Sequence, residues 1–351
     1  MGRVKGVQAL VKYARGHGHM EVRDVPLRLL APDEVRIEVE ATGICGSDIH
    51  IFHDQINIPI RVPVVVGHEF SGRVVEVGAQ VEATRLGERV TAMPSVRICG
   101  GCRYCRSGAY NLCLQRQSMG YWHDGSFAPF CQVPVRCLWT LPEGVDFVAG
   151  ALAEPLACAV HAVSELSRVG AGDLVVIVGP GTIGLLCLQV VLAEGGRAVV
   201  CGLGRDTERL QLAGRLGAEW VVNLSEEDAG ERVKHLTDGY GADLVLECSG
   251  VAAGARLALE LVRKQGQYTQ VGLFGRPVEI DLEQVACKEV VFSGSFGQKP
   301  TSWRRALQLL GLGQVDTAAL ISHRIGLGQW RQAFDLFGCQ EGVKLLLEVK
   351  G

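Results

Sequence analysis

Over roughly the first 150 residues, apolar and polar positions alternate in short runs cut by Gly and Pro, whereas beyond Glu154 compact apolar runs are interleaved with stretches of helical period. The first rhythm predicts strands at Val35 to Val39, Gly72 to Val77, Arg89 to Ala92 and Phe127 to Val133, and hence a mainly β unit. The second predicts strands at Leu174 to Val178, Ala198 to Gly202, Trp220 to Asn223, Leu244 to Cys248 and Gln267 to Val271. Helices are expected between them near Thr182 to Glu194, Thr207 to Leu216, Glu226 to Thr237 and Ala252 to Lys264. Strand and helix in alternation are the signature of βαβ units around a parallel sheet, so the fold class is α/β. After about residue 290 the rhythm loosens, and the terminal run Val343 to Val349 reads as a strand returning to the first unit. The expected organisation is 1–153, 154–290 and a C-terminal segment 291–351 that rejoins the first domain.

A chain of 351 residues exceeds the usual size of one hydrophobic core, which agrees with two domains. A formal charge of −3 leaves no basic field for nucleic acid or an anionic membrane surface, so neither is an expected partner. No apolar stretch reaches membrane-spanning length without Gly or charge interrupting it, and Met1 to Leu10 has no apolar core of a secretory leader.

Of the thirteen cysteines, five fall in metal-ligand patterns. Cys99, Cys102, Cys105 and Cys113 form a C-x2-C-x2-C-x7-C run broken by glycines, four thiolates for a closed, structural Zn²⁺. Cys45 with the adjacent His68 and Glu69 forms a mixed sulfur, nitrogen and oxygen set, which leaves coordination space for water or a substrate oxygen. Two zinc ions per chain are therefore expected, one structural and one catalytic. The remaining cysteines, Cys187, Cys201 and Cys248 among them, sit mostly in apolar segments and read as buried thiols, which fits a reducing cytoplasm.

The strand ending at Val178 runs into Gly179, Pro180, Gly181, Thr182, Ile183 and Gly184 and then an apolar helix. In that context G-x-G-x-x-G is a dinucleotide fingerprint: the glycines let the backbone approach a pyrophosphate whose charge meets the N–H groups of the helix start. Where NAD sites carry an acidic residue at the end of the second strand, this chain has Gly202, followed by Leu203, Gly204, Arg205 and Asp206. A missing carboxylate and a nearby guanidinium favour NADP(H) over NAD(H), with a shifted loop bringing Asp206 to the ribose as the alternative. Val271, closing the fifth predicted strand, is assigned to the same site.

Gly67-His68-Glu69-Phe70-Ser71-Gly72 with Gly78 and Val81, Cys45-Gly46-Ser47-Asp48-Ile49-His50, the four-cysteine lobe, Glu154-Pro155-Leu156 and the loop at Gly179 stand in one order. In this the chain resembles the zinc-dependent medium-chain alcohol dehydrogenases over nearly its whole length, and most closely their polyol (sorbitol or L-iditol) and L-threonine branch. The resemblance implies a GroES-like catalytic domain, a doubly wound Rossmann domain inserted into it, and a homo-oligomer, tetramer or dimer. It implies a Lewis-acid zinc acting on a substrate hydroxyl, with hydride passing to the nicotinamide. It further implies that Ser47 passes the proton outward to His50, and that Glu154 binds the zinc, exchanges with Glu69 or holds the zinc water; the sequence leaves these three open.

His53, His123 and His161 have no such spacing and are read as structural. Ile51 after His50, and Gly294-Ser295-Phe296-Gly297-Gln298 without an Arg-Tyr pair, depart from sorbitol dehydrogenases. The expected substrate is a secondary alcohol on a polyol, cyclitol or sugar-like molecule, with a 2-amino-3-hydroxy acid such as L-threonine as the alternative. A non-catalytic NADPH-binding zinc protein is a minor alternative, disfavoured because every element of the open donor set is present.

Overall fold

The computed structural model describes residues 6–56 and 58–350, so the first five residues of the N-terminal stretch lie outside it. The chain divides into two compact units, Met1–Glu154 with Thr317–Gly351, and Pro155–Asp316. Eight strands precede the junction: β1 (Gly6–Lys12), β2 (Met20–Pro26), β3 (Glu34–Gly43), β4 (Val64–Val65), β5 (Glu69–Val77), β6 (Arg89–Ala92), β7 (Phe130–Pro134) and β8 (Leu138–Thr140). The second unit contributes β9 (Leu174–Val178), β10 (Arg197–Gly202), β11 (Trp220–Asn223), β12 (Ala242–Glu247), β13 (Val262–Gln270) and β14 (Val291–Gly294). Two more, β15 (Ile321–Gly326) and β16 (Lys344–Glu348), belong to the first unit.

In the first unit the larger sheet runs β15-β16-β3-β5-β6-β8, with β7 also pairing β3, and a smaller sheet runs β2-β1-β4. Strand β3 shows why: Val35, Ile37 and Val39 are fully buried at alternate positions, and each such side chain contributes about 1.5–3 kcal/mol by leaving water. They join Leu10, Phe70, Val90, Phe127 and Val133 in one core, to which Leu345 and Leu347 of β16 also belong. The terminal strand therefore fills a place in the core; it pairs antiparallel with β3 at Leu346 with Gly43 and Leu347 with Thr42.

The second unit is a parallel sheet of order β11-β10-β9-β12-β13-β14, the doubly wound arrangement. All five residues of β9 are buried because β10 and β12 flank it and helices cover its faces, so it reads as a continuous apolar run with no alternation. The crossover helices are Thr182–Ala193, Thr207–Arg215, Ala229–Leu236 and Ala252–Leu261.

Three sequence expectations change. The helix expected to reach Lys264 stops at Leu261, where Val262 turns extended (φ −70°, ψ 134°) and opens β13. The helix expected from Glu226 starts at Ala229, because the Asp228 carboxylate accepts the Glu231 N–H at 3.1 Å and caps it there. Residues 291–316 do not return to the first unit: β14 pairs in parallel with β13, and helix Pro300–Gly311 also lies within the second unit. Strand β14 is short, and Val291 and Phe292 are exposed on it, so its pattern did not signal a sheet strand.

Candidate active site

Helix Gly46–His53 begins immediately after Cys45, which is its N-cap, and Asp48 at the third position returns its carboxylate to the Cys45 N–H at 2.9 Å. That reciprocal cap holds the Cys45 side chain at the mouth of the helix. His68 and Glu69 enter at the start of β5 from Gly67, whose φ of +92° and whose contact with Phe127 exclude a side chain; a Cβ there would lie 2.4 Å from the phenyl ring. One ligand atom each from Cys45, His68 and Glu69 lies within 4.8 Å of the others. Glu154 is buried nearby in sequence to the junction but is not in that trio, although its charge reaches His68.

The surroundings are anionic. Burial disfavours charge on His68, yet its hydrogen bond to Cys45 and the charges of Asp48, Cys45 and Glu154 raise its pKa to about 10. Burial, with the Glu69 charge, leaves the pKa of Asp48 raised overall, although His68, the Cys45 N–H and Lys344 offset part of the shift. His68 Nδ1 faces Asp48 Oδ1 at 3.7 Å, and both atoms are buried without a hydrogen-bond partner. A carboxylate behind a metal-binding imidazole is the usual orienting arrangement, so sulfur, nitrogen and oxygen donors gathered in an anionic pocket fit a divalent zinc ion. Tyr121 packs against His68, ring centroids 5.7 Å apart, and burial with the Cys45 and Asp48 charges pushes its phenol well above its ordinary value. Lys344 of β16 supplies the cation: its Nζ makes a short contact with Glu69 Oε2 and donates to the Ile44 carbonyl at 2.8 Å. Burial works against charge on Lys344, but Glu69, Cys45 and Asp48 raise its pKa overall. Ser47 Oγ is buried beside the Tyr121 phenol, whose pKa it helps to hold down, and His50 stands exposed one turn further along the same helix.

The four lobe cysteines also converge, their sulfurs within 4.8 Å of one another. Sulfur separations of 3.9 Å (Cys99–Cys105), 3.6 Å (Cys102–Cys105) and 3.7 Å (Cys113–Cys99) match the edge of about 3.8 Å in a tetrahedron of 2.3 Å zinc–sulfur bonds. Backbone N–H groups of Cys99, Cys102, Cys105 and Gln115 point at these sulfurs from 3.3 to 3.5 Å, as thiolates require. The Cys105 N–H holds Cys102 down to about 6, while burial pushes Cys105 up to about 12.

In the second unit each glycine of the loop has its own reason. Gly179 adopts φ +103°, and a Cβ there would meet the Ser249 backbone at 2.8 Å; on Gly184 it would lie 2.0 Å from the Gly179 carbonyl. Gly181 is the N-cap of helix Thr182–Ala193 without a side-chain cap, and nothing lies within 4 Å of its missing Cβ. Pro180, Thr182 and Ile183 complete a turn at a helix start, and the space left open over Gly181 fits a pyrophosphate. At the end of β10, a Cβ on Gly202 would lie 2.9 Å from Pro180 Cγ. Asp206 is buried, its carboxylate accepting the Leu203 N–H at 3.0 Å and facing Arg209 at 3.3 Å, while Arg205 is exposed. Val271 follows β13 and donates its N–H to the Glu247 carbonyl at 2.9 Å.

Sequence reading assigned no role to Asp48, Tyr121 or Lys344. Asp48 had a signal in its capping position three residues after Cys45, and Lys344 in being a lone cation in an apolar strand; Tyr121 had none. The histidines read as structural have ordinary partners: His123 with Gln117 at 2.9 Å, His161 with Glu165 at 2.6 Å, and His53 with His17 at 3.0 Å. No helix among the described residues is long and apolar enough to cross a membrane.

Two family models match, the alcohol dehydrogenase GroES-like domain over residues 31–143 and the zinc-binding dehydrogenase over residues 182–311. The chain is 43% identical to the sorbitol dehydrogenase of Halalkalibacterium halodurans, across 97% of this chain and 99% of that one. It is 39% identical to the D-arabitol-phosphate dehydrogenase of Enterococcus avium, across 98% of both, and L-threonine 3-dehydrogenases follow at up to 35%. Among solved structures, a zinc-binding dehydrogenase from Sinorhizobium meliloti bound to NADP superposes with a TM-score of 0.88 at 32% identity, covering 97% of this chain and 99% of that one. With both domain models matched and similarity running end to end through the metal and dinucleotide loops, the chain belongs to the zinc-dependent medium-chain alcohol dehydrogenase family.

Proposed function

We propose that this dehydrogenase oxidises a secondary hydroxyl of a polyol, cyclitol or sugar-like molecule, phosphorylated polyols included, with NADP⁺ as acceptor. The observation that carries the reading is the open trio of Cys45, His68 and Glu69 beside the closed four-cysteine lobe, in a chain that also carries a formed dinucleotide loop. Zn²⁺ held by Cys45, His68 and Glu69 would supply Lewis acidity toward a substrate hydroxyl, and a dinucleotide held at the glycine loop would supply the hydride acceptor. The second zinc belongs to Cys99, Cys102, Cys105 and Cys113. Ser47, whose hydroxyl is buried beside the Tyr121 phenol, relays the substrate proton by taking it up as it gives up its own, and exposed His50 on the next turn accepts that proton through a cofactor ribose hydroxyl or water and releases it to solvent. Glu154 serves from outside the trio, by hydrogen bonding to water or substrate at the metal.

For the cofactor, Gly202 crowded by Pro180 and Asp206 turned inward leave no carboxylate for an adenosine ribose, while Arg205 is free on the surface to meet a 2′-phosphate. Solved relatives carry both cofactors, NADP in the one from Sinorhizobium meliloti and NADH in one from Escherichia coli, so the choice rests on Gly202, Asp206 and Arg205. The polyol class rests on the sorbitol and arabitol-phosphate relatives; L-threonine is the second reading, supported by Ile51 after His50 and by the threonine dehydrogenase relatives. A homo-oligomer in a reducing cytoplasm completes the proposal, on the family resemblance and the cysteine usage.

The test is initial-rate oxidation by zinc-loaded protein of polyols, polyol phosphates, cyclitols and L-threonine, with NAD⁺ and NADP⁺ in parallel. Turnover of polyols with NADP⁺ is the expected result. Threonine oxidation moves the chain to the second reading, and silence across the panel with two zincs bound rejects the substrate class.

A further inference from the structure

Glu247 closes β12 and is fully buried. Its Oε1 accepts the N–H groups of Ser249 at 2.9 Å and Gly250 at 3.2 Å, with a short contact from the Ser249 hydroxyl; its Oε2 accepts from Gly250 at 3.1 Å and from Gln270 Nε2 at 2.6 Å. All these partners are donors, the inventory of a carboxylate and not of a carboxylic acid, and all are neutral. A buried charge held only by dipoles keeps its field. That field contributes, after burial, to the raised pKa of Tyr268, and adds to the Cys187 hydrogen bond and burial in raising Cys248.

The position of this charge matters. The strand order reverses between β9, which feeds the glycine loop, and β12, so a dinucleotide lies across their carboxyl ends. Its adenosine half belongs over β10, where Gly202 and Arg205 sit, and its nicotinamide half belongs on the side of β12 and β13. The loops there are tied to Glu247: its backbone carbonyl accepts the N–H groups of Val271 at 2.9 Å and Gly272 at 2.8 Å, and a Cβ on Gly272 would lie 2.8 Å from Oε2. The Ser249 backbone in turn abuts Gly179.

We propose that Glu247 biases the dinucleotide site toward the oxidised cofactor, its carboxylate attracting the cationic nicotinamide of NADP⁺ and leaving the neutral ring of NADPH unaffected. This rests on the dinucleotide reading above. An interaction of one buried charge with another falls off slowly at low dielectric, so the preference reaches beyond contact distance.

The experiment measures dissociation constants of zinc-loaded full chain for NADP⁺, NADPH and 2′,5′-ADP by calorimetry and ligand fluorescence, in the wild type and Glu247→Gln. The expected result is that NADP⁺ weakens about five-fold or more while NADPH and 2′,5′-ADP hold, so the ratio of oxidised to reduced dissociation constants rises. Equal weakening of both cofactors, or no change in the ratio, overturns the inference by reducing Glu247 to a loop tie. Wild-type protein that binds none of the three ligands overturns the dinucleotide reading itself. If Glu247→Gln does not fold, the exchange Glu247→Gln with Gln270→Glu keeps a Glu–Gln hydrogen bond and moves the charge to the neighbouring strand. The wild-type ratio in that double variant supports the charge; a raised ratio overturns it.

Discussion

Lys344 and Glu69, 275 residues apart in sequence, form a buried ion pair at the edge of the metal-ligand trio. Gly43 makes the approach feasible: a Cβ there would lie 2.6 Å from Glu69 Oε2 and 2.7 Å from Lys344 Cε. The pair means that Glu69 has two competing cations, the lysine and a metal at the trio. Removing one partner of a buried pair costs about 3–5 kcal/mol because the other is left uncompensated. Lys344→Met is expected to lose about that much stability in zinc-stripped protein, and clearly less in zinc-loaded protein, where the metal neutralises Glu69. Urea denaturation of both forms checks this; equal losses would mean that the metal does not reach Glu69.

Cys45→Ser and Cys105→Ser separate the two metal sites. Each is expected to lower the zinc content from two to one per chain by elemental analysis. Cys45→Ser loses turnover and retains dinucleotide binding, whereas Cys105→Ser loosens residues 97–117, seen as faster amide exchange confined to that lobe. Stripping both metals with a chelator combines the two effects.

Arg205→Ala is expected to weaken NADPH by about ten-fold or more and NADH little, the loss of a charge-assisted hydrogen bond to a phosphate. The converse substitution, Gly202→Asp, does not by itself create an NAD site, because Pro180 Cγ stands 2.9 Å from where the new Cβ must go. Paired with Pro180→Ala it improves NADH binding. Competition titrations with both reduced cofactors read out all of these variants.

Glu165 supplies a pH-dependent term. Burial pushes its carboxyl up, but the His161 and Thr301 hydrogen bonds and the charges of His161 and Lys299 hold it below its ordinary value of 4.5. A carboxyl lowered in the folded state stabilises the protein above its unfolded pKa, and that contribution fades as pH falls through the folded value. The stability difference between wild type and Glu165→Gln is therefore expected to shrink as pH falls below about 4.5. A difference that stays constant down to pH 3.5 would count against the pairing.

The metal ligands and the glycine loop were legible in sequence because their chemistry is local: four cysteines at short spacing, a histidine next to a glutamate, a strand running into three glycines. Their partners were not. Lys344 meets Glu69 only because β16 closes on β3, and Tyr121 meets His68 through a loop with no periodic signal. Domain limits failed for a related reason. Strand β14 buries too little of Val291 and Phe292 to show an inward face, so its membership of the parallel sheet depends on pairing with β13 and not on its own pattern.

The placement of β16 also bears on synthesis. At 5–20 residues per second, about 14–55 s pass between translation of Glu69 and of Lys344, separated by 275 residues. During that interval β7 already pairs Glu34 to Glu38 of β3, but Thr42 and Gly43 at its end lack their β16 partners and the Glu69 carboxylate lacks its lysine, while the whole inserted unit emerges and has time to fold. A zinc ion captured early by Cys45, His68 and Glu69 would shield that carboxylate on the ribosome, so metal supply during translation, and not only afterwards, bears on how much of the chain reaches its native state.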